Sequence, residues 1–295
     1  MILMIIECVP NFSESRNKKV IQTIFDDLSA IPGIKIIDRH SDDDHNRTVL
    51  TLLGDEISIP IAAFTAARLA QKHINLYHHS GQHPRIGALD VLPFIPLGDT
   101  SMVACVQIAR QVGSKIGEEL QIPVYLYEEA ALISERKALE FVRRGQFEGL
   151  LKEIESNPAR QPDFGPKKIG TEGAIAVGAR MPLIAFNVYL NSNDQSLAVA
   201  IAKTIRQSSG GLPNVKALGL LVGGLAQVSM NLTDYRKTGL PQVIESIRKE
   251  AAHLGTAIHH TELVGLIPRD ALVNTAAHYL QNDNLTVDRI IESHF

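Results

Sequence analysis

The strongest constraint on the fold is an order of short apolar runs and helix-period segments that occurs twice along the chain. In the first stretch, residues 2–9 are rich in β-branched side chains and are broken by Pro10-Asn11. Val20, Ile21, Ile24, Phe25 and Leu28 then recur at helical spacing, with Ser13 or Ser15 as a possible cap. Strand-like runs follow at 34–38 and 48–53 on either side of a polar loop. An alanine-rich helix over 57–72, the loop 78–88 and a strand around 90–95 complete a β-α-β-β-α-β order. The second stretch repeats it, with strands at 183–190, 215–222, 226–232 and 256–263 and helices beginning near Leu197 and Leu240. Between the two lie a helix over 102–120, a strand over 123–127, a helix over 135–144 and a polar, proline-bearing stretch at 156–173. Helices over 270–280 and 287–293 close the chain. The expected class is therefore α+β, with two ferredoxin-like (split β-α-β) subdomains, 1–178 and 179–295.

Composition narrows the functional classes. A chain of 295 residues can bury about three quarters of its unfolded surface, so a sizeable core is available. With 45% hydrophobic and 21% charged residues it does not read as disordered. A formal charge of -3 gives no net attraction for nucleic acid or an anionic membrane, so neither is an expected partner. Cys8 and Cys105 cannot build a disulfide scaffold and fit no zinc spacing. The apolar start is short, lacks a basic region and is interrupted by Glu7, unlike a signal peptide. No apolar run approaches the ~20 residues of a membrane span, so a cytoplasmic protein is expected.

Polar residues concentrate at strand ends, where sheet proteins commonly place ligands. In the loop 78–88, three histidines lie near two glycines. A histidine can exchange a proton near neutral pH, and Pro84 holds His83 extended. Arg85 adds a planar fork for an anion two residues on. The alternative is a surface loop with solvated histidines. In the acidic loop, His40, Asp42, Asp44 and His45 are cation-ligand types, but no established metal motif supports them, and a solvated turn is the other reading. Asn46 and Arg47 open the next strand and are better placed for a ligand carboxylate. Gly165, Pro166, Lys167, Lys168, Ile169 and Gly170 could cradle an anion or form the interdomain linker. No glycine-rich phosphate fingerprint, P-loop or G-x-S-x-G nucleophile signature is present.

Longer motifs carry a family resemblance. Residues 6–14 (Ile-Glu-Cys-Val-Pro-Asn-Phe-Ser-Glu), His45-Asn46-Arg47-Thr48-Val49 and the run from His83-Pro84-Arg85 to Asp90-Val91 resemble the glutamate formiminotransferase family. So do Glu118-Glu119-Leu120, residues 122–127, Pro162-Asp163-Phe164-Gly165-Pro166, Gly178-Ala179-Arg180, residues 183–187, Ala226-Gln227-Val228-Ser229 and residues 262–266. They stand in family order across almost the whole chain. The resemblance implies two ferredoxin-like subdomains with a ligand tunnel between them, in a homodimer. It implies transfer of the formimino group of N-formimino-L-glutamate to tetrahydrofolate, a co-substrate, with no metal required. Some members of the family handle a formyl group instead, and a folate-binding paralogue without turnover is the remaining alternative. The family's catalytic histidine falls on His83, and its folate-binding segment begins at Gly165. Asn11, Asn46, Arg47, Arg85, Lys167 and Arg180 are then the candidate partners of two anionic substrates. Departures from the family pattern are Gln82 for a glutamate, His40 for an aspartate, Ser15 for a glycine, and shorter segments at 169–173 and 221–224.

Overall fold

The computed structural model describes residues 4–81 and 83–294. It divides into two compact units, Met1–Arg180 and Met181–Phe295. In the first, β1 (Ile5–Cys8) and β2 (Asn11–Phe12) are one line of chain interrupted at Val9 and Pro10. Proline has no ladder donor, yet its carbonyl still accepts from Leu50 N–H at 3.1 Å, so the line continues across the break. α1 (Lys18–Ser29), β3 (Lys35–Asp42), β4 (Arg47–Gly54), α2 (Ser58–His73) and β5 (Leu89–Leu97) follow. β1 pairs antiparallel with both β4 and β5, and β3 pairs with β4. The first strand is therefore central, in the order fourth, first, third, second, which is the ferredoxin-like arrangement.

The sheet then grows beyond that motif. α3 (Met102–Lys115) leads through a π-helical turn, Ile116–Leu120, to β6 (Val124–Glu128). α4 (Leu139–Val142) and α5 (Gln146–Glu153) precede β7 (Ile175–Ala179), which inserts between β5 and β6, parallel to both. Ile24, Leu28, Ala66, Leu92, Phe94, Val112 and Leu126 close one core. On the opposite face Tyr125, Tyr127 and Ala176 pack with Val142, Phe147 and Leu150. Burial on both faces explains why β6 and β7 read as unbroken apolar runs without alternation.

The second unit contains β8 (Ile184–Leu190), α6 (Gln195–Ile205), β9 (Val215–Val222), β10 (Leu225–Leu232), α7 (Leu240–His253), β11 (Ile258–Val264) and α8 (Arg269–Tyr279). Its sheet order, β11-β8-β10-β9, is again fourth, first, third, second. Along β8, Ile184, Phe186, Val188 and Leu190 enter the core, while Ala185, Asn187 and Tyr189 are less buried.

Several local expectations are corrected. Asn17, not Ser13 or Ser15, caps α1, its side chain accepting from Val20 N–H. The segment 135–144 is a 3-10 turn and the single turn of α4, and residues 287–294 are 3-10 turns. β7 and α5 were not anticipated. The division between the units falls after Arg180, because β7 is held by β5 and β6 and an end at residue 178 would cut it. Phe94 is fully buried where β5 faces the helical layer. Phe94→Ala should cost about 3–5 kcal/mol. With no tryptophan in the chain, the far-UV circular dichroism of urea unfolding is the measurement; an unchanged midpoint would contradict this packing.

Candidate active site

One edge of the first sheet collects the polar residues. β2 ends there, β4 begins there, and the loop before β5 arrives there, because β2 pairs antiparallel with both. Asn11, His45, Asn46, Arg47, His79, His83, Arg85 and Asp90 line one cleft at this edge. Of the residues singled out by sequence, the fold thus brings together Asn11, Asn46, Arg47, His83 and Arg85.

His83 is half-buried. Its Nδ1 lies 2.7 Å from both the Pro84 carbonyl and a terminal nitrogen of Arg47. The same Arg47 nitrogen also faces Nε2, so the guanidinium meets both nitrogens of the ring. The other arm of Arg47 donates to Asn11 Oδ1, while Asn11 Nδ2 donates to Val9 O at 2.6 Å. Burial, then the charges of Arg47 and Arg143, hold the His83 pKa far below the usual histidine range, against the Pro84 carbonyl. His83 is therefore a neutral imidazole at neutral pH. Arg47 itself is pushed down to about 10 by burial and Arg143, with Asp90 opposing, and stays a cation.

Asp90 and Arg143 were not found from sequence. Asp90, 2% exposed, accepts from Ile86 N–H at 2.8 Å and pairs with Arg143, which comes from the end of α4. His45 stands edge-on to His83, with ring centroids 5.9 Å apart, and its buried Nδ1 has no hydrogen-bond partner. Asp42 does not assemble a cation site. Its Oδ1 accepts the amides of Asp44 and His45, and His40 is exposed on β3. Among the described residues no cluster of three or more His, Cys, Asp or Glu could hold a metal ion.

Other candidates have protein partners. Asn46 is a clamp in the left-handed region (φ 48°). Its Oδ1 accepts from Ser15 N–H at 2.9 Å and its Nδ2 donates to Ser80 O at 3.1 Å. The Ser15 hydroxyl donates to Asp42 O at 2.9 Å, a bond that a glycine could not make. Arg85 is buried and forms a two-pronged pair with Glu148 at 2.6 and 3.0 Å.

Lys167 and Lys168 are exposed in the loop that leads to β7, outside the cleft lining. Their segment is joined to the His83 loop through backbone. Ala174 N–H donates to Ile86 O at 2.9 Å and Ala88 N–H to Glu172 O at 2.7 Å. Gly87 and Gly173 permit that approach: a Cβ at Gly87 would lie 1.9 Å from Ala174 O, and one at Gly173 would lie 2.2 Å from Ile86 O. Arg180 lies at the far end of β7, where its side chain hydrogen-bonds Tyr127. Gln82 falls outside the described residues.

A neutral histidine flanked by two guanidiniums and one carboxylate suits proton transfer on an anionic small molecule. Comparison with known proteins identifies the class. A model of the formiminotransferase domain, N-terminal subdomain, matches residues 5–180, and a model of the formiminotransferase domain matches residues 185–294. The chain is 44% identical to a glutamate formimidoyltransferase of Streptococcus pyogenes serotype M1, covering 98% of each chain. It is 42% identical to one of Thermoplasma acidophilum, covering 98% of this chain and 97% of that one. A formimidoyltransferase-cyclodeaminase of Rattus norvegicus is 41% identical over 96% of this chain and 54% of its own length. The chain belongs to the formiminotransferase family, and it is a transferase.

The geometry around His83 sets a direction for its titration. Arg47→Gln removes a charge that opposes protonation, so the His83 pKa should rise while burial and Arg143 keep it below the ordinary value. NMR titration of the ring, assigned with His83→Asn, measures this; an unchanged or lower pKa would contradict the arrangement.

Proposed function

We propose that the chain transfers the formimino group of N-formimino-L-glutamate to tetrahydrofolate, giving 5-formiminotetrahydrofolate and L-glutamate, with His83 as general acid and base. The observation that carries the reading is full-length similarity to two proteins named glutamate formimidoyltransferase. The His83 cleft supports it with a neutral imidazole and two guanidiniums.

The reaction needs a base for the proton of the attacking pterin nitrogen and an acid for the departing glutamate amine. His83 Nε2 can serve as both, and such transfer is typically worth 10²–10⁴ in rate. The depressed pKa makes His83 a weak base but its conjugate acid a strong donor, which favours the second half of the reaction. Arg47 occupies Nε2 in the structure. A substrate carboxylate that draws Arg47 away would free Nε2 and screen the charge that lowers its basicity. Substrate binding then activates the base. The folate-binding role of Gly165, Pro166, Lys167, Lys168, Ile169 and Gly170, and the substrate contacts of Asn11, Asn46, Arg85 and Arg180, belong to this reading as sites to be tested.

Purified protein with tetrahydrofolate and either N-formimino-L-glutamate or N-formyl-L-glutamate provides the test, with products resolved by absorbance and mass. Formimino transfer is expected, and His83→Ala should lower it by at least ~10² while leaving folate affinity within about threefold. Formyl transfer alone would replace the donor in this reading. Folate binding without either transfer would overturn it.

A further inference from the structure

We infer that His79 is a positioning residue for the His83 chemistry, fixed between Arg85 and Asn46, with Glu148 holding Arg85 in place. This rests on the reading of His83 as the proton carrier. The residues come from three separate parts of the first unit. Arg85 Nε–H donates to His79 Nδ1 at 3.1 Å. The opposite ring nitrogen, Nε2, lies 3.2 Å from the Asn46 carbonyl. Arg85 spends its two terminal nitrogens on Glu148, at 2.6 and 3.0 Å, and reaches Gln146 Oε1 at 3.2 Å. Its carbonyl accepts Phe147 N–H at 2.9 Å, so both ends of Arg85 are fixed to the start of α5.

Hydrogen-bond chemistry leaves one protonation state for this chain of contacts. Arginine only donates, so Nδ1 must present its lone pair. A carbonyl only accepts, so Nε2 must carry the proton. A protonated His79 would set an N–H against the N–H of Arg85 and break the chain. Burial, Arg85 and Arg16 disfavour that proton, and the Asn46 carbonyl, Glu14 and Glu148 favour it.

The sequence positions give the arrangement its purpose. Asn46 is followed by Arg47, whose guanidinium meets His83, and Arg85 is two residues after His83. His79 therefore ties together the two strand-end segments that carry the Arg47–His83 contact. Asn46 Nδ2 on Ser80 O adds a second tie between the same segments. In this role Arg85 serves the protein, its charge matched by Glu148, and the substrate contact named for it above is the competing outcome of the test.

The experiment combines nitrogen-15 histidine NMR with steady-state kinetics on the wild type, His79→Ala, His79→Asn, Arg85→Lys and Glu148→Gln. The wild-type spectrum should show His79 neutral with its proton on Nε2. In His79→Ala the His83 titration should move upward as the Arg47 contact loosens. The kcat should fall by about tenfold with both KM values within about threefold. His79→Asn, which keeps an acceptor at the δ position, should recover part of the loss, and Glu148→Gln should lower kcat in the same sense. An Nδ1-protonated or cationic His79 at neutral pH would overturn the inference. So would wild-type kcat and unchanged His83 titration in His79→Ala. A KM for the donor raised more than tenfold in Arg85→Lys, at unchanged kcat, would make Arg85 a substrate contact instead. If the wild type transfers from neither donor, the functional reading falls by itself, and the His83 titration in His79→Ala decides the positioning role.

Discussion

The antiparallel pairing of Asn11 and Phe12 with two strands at once is the contact on which the candidate site depends. Asn11 faces Val49 on one side and Val91 on the other. Both neighbours run opposite to β2, so the segments entering them, with Arg47 and His83, come to the edge where β2 ends. A first strand at the border of its sheet could meet only one of them. The fourth-first-third-second order converts residues 36 positions apart in sequence into hydrogen-bonding neighbours. The two added parallel strands extend the same edge and bring the 165–174 segment alongside it.

Charge at this edge is unevenly distributed. Arg47 and Arg143 bear on His83, and Asp90 is the buried carboxylate set against them. The two guanidiniums outnumber the one buried carboxylate between them. That imbalance acts in the same direction as burial, lowering the basicity of His83. Arg85, although buried nearby, is balanced by Glu148 and leaves the count unchanged.

Much of the architecture was readable in the sequence because its strands sit half-buried and its helices amphipathic. The Val20-Ile21-Ile24-Phe25-Leu28 spacing became α1, and the strand-like run of 183–190 became β8. β7 escaped notice because Ile-Ala-Val-Gly-Ala is short, wholly buried and free of alternation. α5 follows a left-handed Gly145, which reads as a stop. In the site, Asn11, Asn46, Arg47, His83 and Arg85 were visible as polar clusters at strand ends. Their division of labour was not. That Asn46 clamps Ser15 and Ser80, and that Arg85 answers to Glu148, depends on groups 31 to 63 residues away. Asp90 and Arg143 gave no local signal, since each becomes meaningful only when β5 and α4 meet.

The glycine pair at positions 87 and 173 has a mechanical consequence. Through it the strand-entry segments of β5 and β7 share backbone hydrogen bonds and no intervening side chains. The spacing of the two segments is therefore set by backbone alone, with no side chain between them that could be exchanged for a larger or smaller one. Neither glycine lines the cleft around His83. Any side chain at either position would meet a backbone carbonyl of the other segment and pry the two apart.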